Sequence, residues 1–172
     1  AALEVQSQGV RAIVGGCGFF GNFQGRLSEA LDIPVFLSSL MQVPMVLQAI
    51  KPDSKIAVFS DITSLTDELF MACGVNQLDS ITKVHSTGLP ETQKQFASGR
   101  LNPAIYVKQL VELAIDHISQ NPDVAAIVAE YTEFPTFAHA VQEAVGVPVF
   151  DTTTLAHWVY DSVVRKPFAG RF

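Results

Sequence analysis

This 172-residue sequence predicts an α/β protein of two pseudo-symmetric lobes, each a parallel sheet flanked by helices, with the first lobe incomplete. Three observations lead there. First, one stretch occurs twice. Adding 114 to each number lays residues 10–36 on residues 124–150 without a gap, and 11 of the 27 positions are identical. The identities include Ala12/Ala126, Ile13/Ile127, Val14/Val128, Phe20/Phe134, Phe23/Phe137, Glu29/Glu143 and the tripeptide Pro34-Val35-Phe36 on Pro148-Val149-Phe150. Second, short apolar runs alternate with helical stretches, the pattern of a parallel sheet covered on both faces. Third, Lys51-Pro52-Asp53-Ser54 is a turn cluster that divides the chain. Residues 1–51 are therefore the C-terminal part of a first lobe, 52–151 a second lobe, and 152–172 a helix and tail expected to pack back on the first.

The elements follow in order. Residues 10–16 are an apolar run bounded by glycines, which predicts a buried parallel strand. A helix is expected over residues 22–31, with Asn22 as its cap. Residues 33–37 form the next strand, and Ser38 and Ser39 lead into a helical stretch through Ile50. In the second lobe residues 55–60 read as a strand. Residues 64–73 read as a helix stopped by Gly74 in a left-handed conformation. Residues 80–85 are a strand. Residues 103–120 are a long amphipathic helix with Ile105, Val107, Leu110, Val111, Leu113, Ala114 and Ile118 on its apolar side. Residues 124–130 are a strand, 135–145 a helix with Pro135 in its first turn, 147–150 a strand, and 152–164 the last helix. In the second half the first strand lies about 70 residues ahead of the repeated unit. The repeat thus leads us to expect a fragment, with roughly 60 residues of the first half lying before Ala1.

Composition narrows the function. Apolar content of 48% with moderate charge belongs to a globular chain. A net charge of −6 and no basic run argue against a nucleic-acid partner. No apolar run reaches the roughly 18 residues of a membrane helix. Two cysteines without a pairing pattern, and no secretory signal in this stretch, suit a reducing cytoplasm. No Cys/His spacing suggests a metal.

The repeat also locates a site. Ligands of open parallel sheets bind beyond the carboxyl ends of the strands. Cys17, in Gly-Gly-Cys-Gly, lies on Tyr131, in Glu-Tyr-Thr-Glu, each just after such an end and before a helix. The two are expected to face one cleft. Backbone N–H groups after Cys17 favour an anion, either a thiolate or a substrate carboxylate. Gly18, with Gly15, Gly16 and Gly21, lets the backbone approach a small ligand. Taken alone, a cysteine here is as readily a small buried hydrophobe. Thr132 offers a hydroxyl and an N–H to a carboxylate. Ser38 and Thr152 are repeat equivalents that could do the same, helix capping being their commoner use. Asp61 could meet a substrate amino group or cap a helix. Glu133 could orient a neighbour. His85 ends a strand on the same rim and fits a general acid or base as well as a surface histidine. His139 and His157 lie within helices and read as structural, and Cys73 reads as packing.

With these residues in view, the sequence resembles the aspartate/glutamate racemase superfamily, which includes glutamate, aspartate and hydantoin racemases, maleate isomerases and arylmalonate decarboxylases. Residues 10–20 look like its first cysteine motif. Glu130-Tyr131-Thr132-Glu133-Phe134-Pro135 looks like its second, normally Cys-Thr-(His, Glu or Asn)-x-Pro, with Glu133 placed as in aspartate racemases. The resemblance implies two pseudo-symmetric lobes, no cofactor, possible oligomers of identical chains, and a small carboxylate or amino-acid-like substrate. It implies catalytic roles at positions 17 and 131, where paired cysteines move a proton on and off the carbon next to a carboxylate. The departure is Tyr131 in place of the second cysteine. A phenol with an ordinary pKa near 10 is a poor base at neutral pH beside a thiol near 8.5. Racemase-like proton transfer by Cys17 is thus the expectation, with Tyr131 as the opposed acid or a hydrogen-bonder. A one-thiol decarboxylase or cis-trans isomerase, and a non-catalytic carboxylate-binding protein, are the alternatives.

Overall fold

The computed structural model describes residues 1–99, 102–167 and 169–170. Its elements are α1 (Ala2–Ser7), β1 (Ile13–Val14), a 3-10 turn (Gly18–Phe23), α2 (Gln24–Ala30), β2 (Val35–Phe36), a 3-10 turn (Ser39–Gln42) and α3 (Val43–Ala49). The second lobe continues with β3 (Lys55–Ser60), α4 (Asp67–Ala72), a short 3-10 turn (Leu78–Ser80), β4 (Ile81–His85), α5 (Pro90–Ser98), α6 (Pro103–Gln120), β5 (Val124–Ala129), a 3-10 turn (Phe134–Thr136), α7 (Ala138–Val145), β6 (Val149–Phe150) and α8 (Thr152–Val163). The sheets run β1-β2 and β4-β3-β5-β6, and every pairing is parallel. This is the mixed α/β architecture that the strand–helix alternation predicts.

The repeat survives at the level of register. Ile13 pairs with Val35 and Val14 with Phe36, while Ile127 pairs with Val149 and Val128 with Phe150. The Ile13 N–H donates to the Pro34 carbonyl at 3.0 Å, and the Ile127 N–H to the Pro148 carbonyl at 2.9 Å. A shared Pro-Val-Phe strand thus closes on its neighbour in the same way twice.

Side-chain alternation splits the second lobe into two cores. Ala57 and Phe59 of β3 face α6 and α7, with Tyr106, Leu110, Phe134, Phe137 and Val141. Ile56 and Val58 face α3 and α4, with Leu40, Val43, Leu69 and Phe70. The helix that follows β2 therefore packs on the other lobe's sheet. In return α8, which follows β6, reaches the first lobe: Trp158 meets the Phe36 ring edge-on at 5.5 Å, and Arg11 donates to the Val163 carbonyl at 2.8 Å. No described helix is long and apolar enough to cross a membrane.

Several expected boundaries shift, each for a physical reason. The strand expected over residues 10–16 pairs only at Ile13–Val14, because among the described residues β1 has one neighbour. Asn22 does not cap α2. It sits inside a 3-10 turn and its amide donates to the Phe19 carbonyl at 2.9 Å. The helix expected from residue 64 starts at Asp67, where the Thr66 hydroxyl caps α4 by accepting from the Leu69 N–H. On α6 the buried stripe is Tyr106, Leu110 and Ala114 at a spacing of four, which leaves Ile105 exposed at 41%. α5 was not anticipated; its mean hydropathy is low, so periodicity gives little signal. Asp53 takes a left-handed φ of 68° within the turn cluster, and Gly74 stops α4 at φ 82° as expected.

Candidate active site

Cys17 and Tyr131 sit in two loops that hold each other. The Gly18 N–H donates to the Glu130 carbonyl at 3.0 Å, and the Thr132 hydroxyl donates to the Gly16 carbonyl at 2.8 Å. Gly16 is the repeat partner of Glu130, and Gly18 of Thr132, so the two bonds are counterparts. Cys17 is central in one loop and Tyr131 in the other. Each loop leaves its strand and turns directly into a 3-10 segment, as the repeated sequence requires.

Cys17 is half-buried and opens the Gly18–Phe23 turn from an extended conformation, its carbonyl accepting from the Phe20 N–H at 3.0 Å. Gly18 is required by space. A Cβ there would lie 2.1 Å from Glu130 Cγ and 2.3 Å from its Oε1. Glu130 is itself buried, and Ser60 at the end of β3 donates to its Oε2. Burial pushes this carboxyl up from the usual range; the Ser60 bond opposes that rise and the charge of Asp61 adds to it. In the sequence Glu130 stands out only as part of the Glu130-to-Pro135 motif. Its one available signal was an acid placed directly after an otherwise apolar strand.

Tyr131 is buried among the aromatic residues of the α6–α7 face. Its ring meets Phe134 edge-on at 5.6 Å, and Tyr106 Oη donates to Tyr131 Oη at 2.9 Å. Ser86, just after β4, acts in the opposite direction and lowers the phenol's pKa, against the larger effect of burial. Burial pushes the Tyr131 phenol far above its ordinary value, reinforced by Tyr106 and by the charge of Glu133. Tyr106 shifts the same way for the same leading cause. Tyr131 is therefore a neutral phenol at physiological pH. Tyr106 and Ser86 were missed because residues 25 and 45 positions away in sequence meet position 131 only through packing.

The remaining candidates are placed as follows. Thr132 is spent on the loop bond above. Ser38 is fully buried and accepts from the Leu40 N–H at 3.2 Å, so its hydroxyl serves capping. Asp61 closes the turn after β3, its Oδ1 accepting from the Thr63 N–H at 3.0 Å and hydroxyl at 2.7 Å. That hydroxyl bond, foremost, lowers its pKa. His85 is exposed on the rim; its Nδ1 accepts from the Ile62 N–H at 3.2 Å and lies 3.9 Å from Asp61 Oδ1. Glu133 is exposed at the start of the Phe134–Thr136 turn. Thr152 differs from its partner Ser38. Asp151 caps α8 through a reciprocal box with Thr154, which leaves the Thr152 hydroxyl buried without a hydrogen-bond partner. The residue itself lines a cleft of about 400 Å³ with Val14, Gly16, Thr132, Pro135 and His157. Cys17 and Tyr131 do not line that cleft. Cys73 is buried with its thiol pushed up to about 11 by burial. Among the described residues no group of three His, Cys, Asp or Glu could hold a metal.

No protein-family model matches the chain. It is 32% identical over 179 residues to dimethylsulfoniopropionate lyase 3 of Emiliania huxleyi, covering 99% of this chain and 47% of the relative. It is 33% identical over 170 residues to the dimethylsulfoniopropionate lyase of Durusdinium sp. clade D, covering 96% and 56%. The chain thus spans about half the length of the curated relatives it matches. Its fold is shared with solved structures at low identity. Glutamate racemase of Bacillus anthracis superposes with a TM-score of 0.60 at 15% identity, covering 94% of this chain and 66% of that one. Allantoin racemase of Pseudomonas fluorescens gives 0.60 at 21%, covering 90% and 62%. Unliganded arylmalonate decarboxylase gives 0.58 at 18%, covering 99% and 75%.

Proposed function

We propose that Cys17 is the single base of a cofactor-independent lyase, removing a proton from the carbon next to a carboxylate so that a group on the following carbon departs. The observation that carries this is Tyr131, a phenol held neutral by burial and bonded to Tyr106. Two-base racemisation needs both faces of the carbon served by groups that accept and return a proton. Elimination needs one. For dimethylsulfoniopropionate, named in the relatives, the Cys17 thiolate takes the α-proton and the C–H electron pair becomes the C=C bond. The C–S pair leaves with sulfur. The products are acrylate and neutral dimethyl sulfide, so the leaving group needs no acid and a second thiol is dispensable. The relatives' lyase names support this reading, and the fold shared with racemases and a decarboxylase suits proton transfer at a carbon next to a carboxylate.

The remaining roles follow from chemistry. Tyr131 is the neutral phenol of the counterpart loop, which the Gly18–Glu130 and Thr132–Gly16 bonds hold against the Cys17 loop. Gly18 keeps the backbone low beside it. Thr132 ties its loop to that of Cys17 through Gly16, with Glu133, Ser38 and Asp61 supporting the loops, Thr152 on the neighbouring cleft and His85 on the rim.

The test is incubation with dimethylsulfoniopropionate in D2O, following dimethyl sulfide release and α-deuteration of recovered substrate. Wild type should do one or both. Cys17→Ser should do neither, and Tyr131→Phe should retain α-exchange. Release or exchange that survives Cys17→Ser would refute the assignment. Binding of the carboxylate without either reaction would favour a binding protein.

A further inference from the structure

The turn that carries Cys17 is seated on the second lobe by its glycines. Gly18 and Gly21 are buried and stand three residues apart in the Gly18–Phe23 turn, so in a 3-10 helix they lie on one face. A Cβ at Gly21 would lie 2.6 Å from Cys73 Sγ and 2.9 Å from Leu69 Cδ1. A Cβ at Gly18 would lie 2.1 Å from Glu130 Cγ. The seat beneath this face is therefore the end of α4 together with the Glu130 side chain. Alternation along β5 explains why Glu130 is there. Ala126 and Val128 pack on the α4 side, while Ile127, Ala129 and Tyr131 pack with α6 and α7, so residue 130 returns to the α4 side. Burial pushes the Cys73 thiol up and the charge of Glu130 adds to it, in keeping with a carboxyl near the α4 end. Ser60, at the end of β3, holds that carboxyl.

This seat belongs to the copy of the repeat that carries the thiol. The partners of Gly18 and Gly21 are Thr132 and Pro135, and the partner of Glu130 is Gly16, where an added Cβ would meet nothing within 4 Å. Stability alone does not call for an acid at position 130, because burying a carboxyl costs free energy that an apolar side chain filling the same space would not. Cys17 is extended, at φ −126° and ψ 126°, so its side chain leaves the backbone opposite to the side on which Gly18 meets Glu130. Glu130 thus lies beneath the loop, on the far side from the thiol. We propose that Glu130 is a positioning residue for Cys17: held by Ser60 and pressed against Gly18, its carboxyl fixes the height and direction of the thiol. This rests on the reading of Cys17 as the base. The line of contact runs from β3 through Ser60 and Glu130 to Gly18, and so to the residue before it.

The experiment compares Glu130→Ala, Glu130→Gln and Ser60→Ala with the wild-type chain. The readouts are dimethyl sulfide release from dimethylsulfoniopropionate, alkylation of Cys17 by iodoacetamide at pH 8, and exchange of the Gly18 amide. Misplacing a base by about 1 Å costs about 100-fold, so Glu130→Ala should lower kcat by about that factor with KM unchanged. Cys17 should be alkylated several-fold faster and the Gly18 amide should exchange faster, because the turn of this half-buried thiol is no longer held down. Glu130→Gln keeps the shape and an acceptor for Ser60, and should return all three readouts most of the way to wild type. Ser60→Ala, the milder change, should shift them in the same directions by less, and it decides the matter should Glu130→Ala not fold. Wild-type alkylation and kcat in Glu130→Ala, or in Ser60→Ala where that variant stands in, would overturn the proposal. So would a rise in KM at unchanged kcat, since the carboxyl would then be meeting substrate. A Glu130→Gln variant as impaired as Glu130→Ala would overturn it too, because charge and not seating would be at work. A wild-type chain that releases no dimethyl sulfide counts against the lyase reading alone, and the alkylation and exchange patterns then decide the seat.

Discussion

Gly18→Ala tests how tightly the Cys17 loop is seated. The added Cβ would lie 2.1 Å from Glu130 Cγ, 2.3 Å from Oε1 and 2.5 Å from Cδ, separations no relaxed carbon contact shows. The loop cannot back away freely, because the Gly18 N–H is bonded to the Glu130 carbonyl and the Thr132 hydroxyl to Gly16. Glu130 must therefore swing and give up its bond from the buried Ser60 hydroxyl. Overpacking costs about 1–3 kcal/mol, and a broken buried hydrogen bond about 1–3 kcal/mol. Allowing for relaxation, the loss should be about 2–4 kcal/mol, or about 5–15 °C in melting temperature for a chain of this size. Thermal and urea unfolding measure it. The diagnostic is the cycle with Glu130→Ala, which removes the obstructing carboxyl, so the double variant should be more stable than the sum of the single losses by about 1 kcal/mol or more. A Gly18→Ala loss under about 0.5 kcal/mol, or strict additivity in the cycle, would show that the carboxyl does not occupy this position.

Other outcomes are expected from the same structure. Tyr131→Phe should cost about 1–2 kcal/mol by chemical unfolding, because the buried Tyr106 hydroxyl loses its acceptor; an unchanged midpoint would argue against that bond. Glu130 has a folded pKa raised above its unfolded value of 4.5, so its contribution to stability is complete below pH 4.5 and declines as pH rises through the folded pKa. Glu130→Gln should flatten the unfolding free energy over that window, and an unaltered slope would exclude Glu130 as its source. A thiol reagent at pH 8 should label Cys17 in the native state and reach Cys73 only on unfolding, since Cys73 is buried with its pKa near 11; two equal labelling rates would contradict this. Tyr131→Cys should add α-proton exchange on the opposite face of a small amino-acid substrate, read as racemisation by chiral chromatography, if position 131 borders the reacting carbon.

The sequence by itself determined the fold class, the repeat and the position of both loops. Pro34-Val35-Phe36 and Pro148-Val149-Phe150 pair in one register because identical side-chain patterns have one way to present their apolar face. The Lys55–Ser60 and Pro103–Gln120 elements run where periodicity and their end signals place them. What depends on long-range contact was invisible. Residues 10–16 read as a full strand, yet pair only at Ile13–Val14, since strand length depends on neighbours and not on the strand's own residues. Ser38 and Thr152 are equivalent in sequence, but one is capped and buried while the other is left without a partner, because Asp151 caps α8 in place of Thr152. The protonation of Tyr131 was decided by burial, with Tyr106 adding to it, and that of Glu130 by burial against Gly18. Local propensity fixes which residues can form an element, but charge state and exposure are set by what the rest of the chain packs against them.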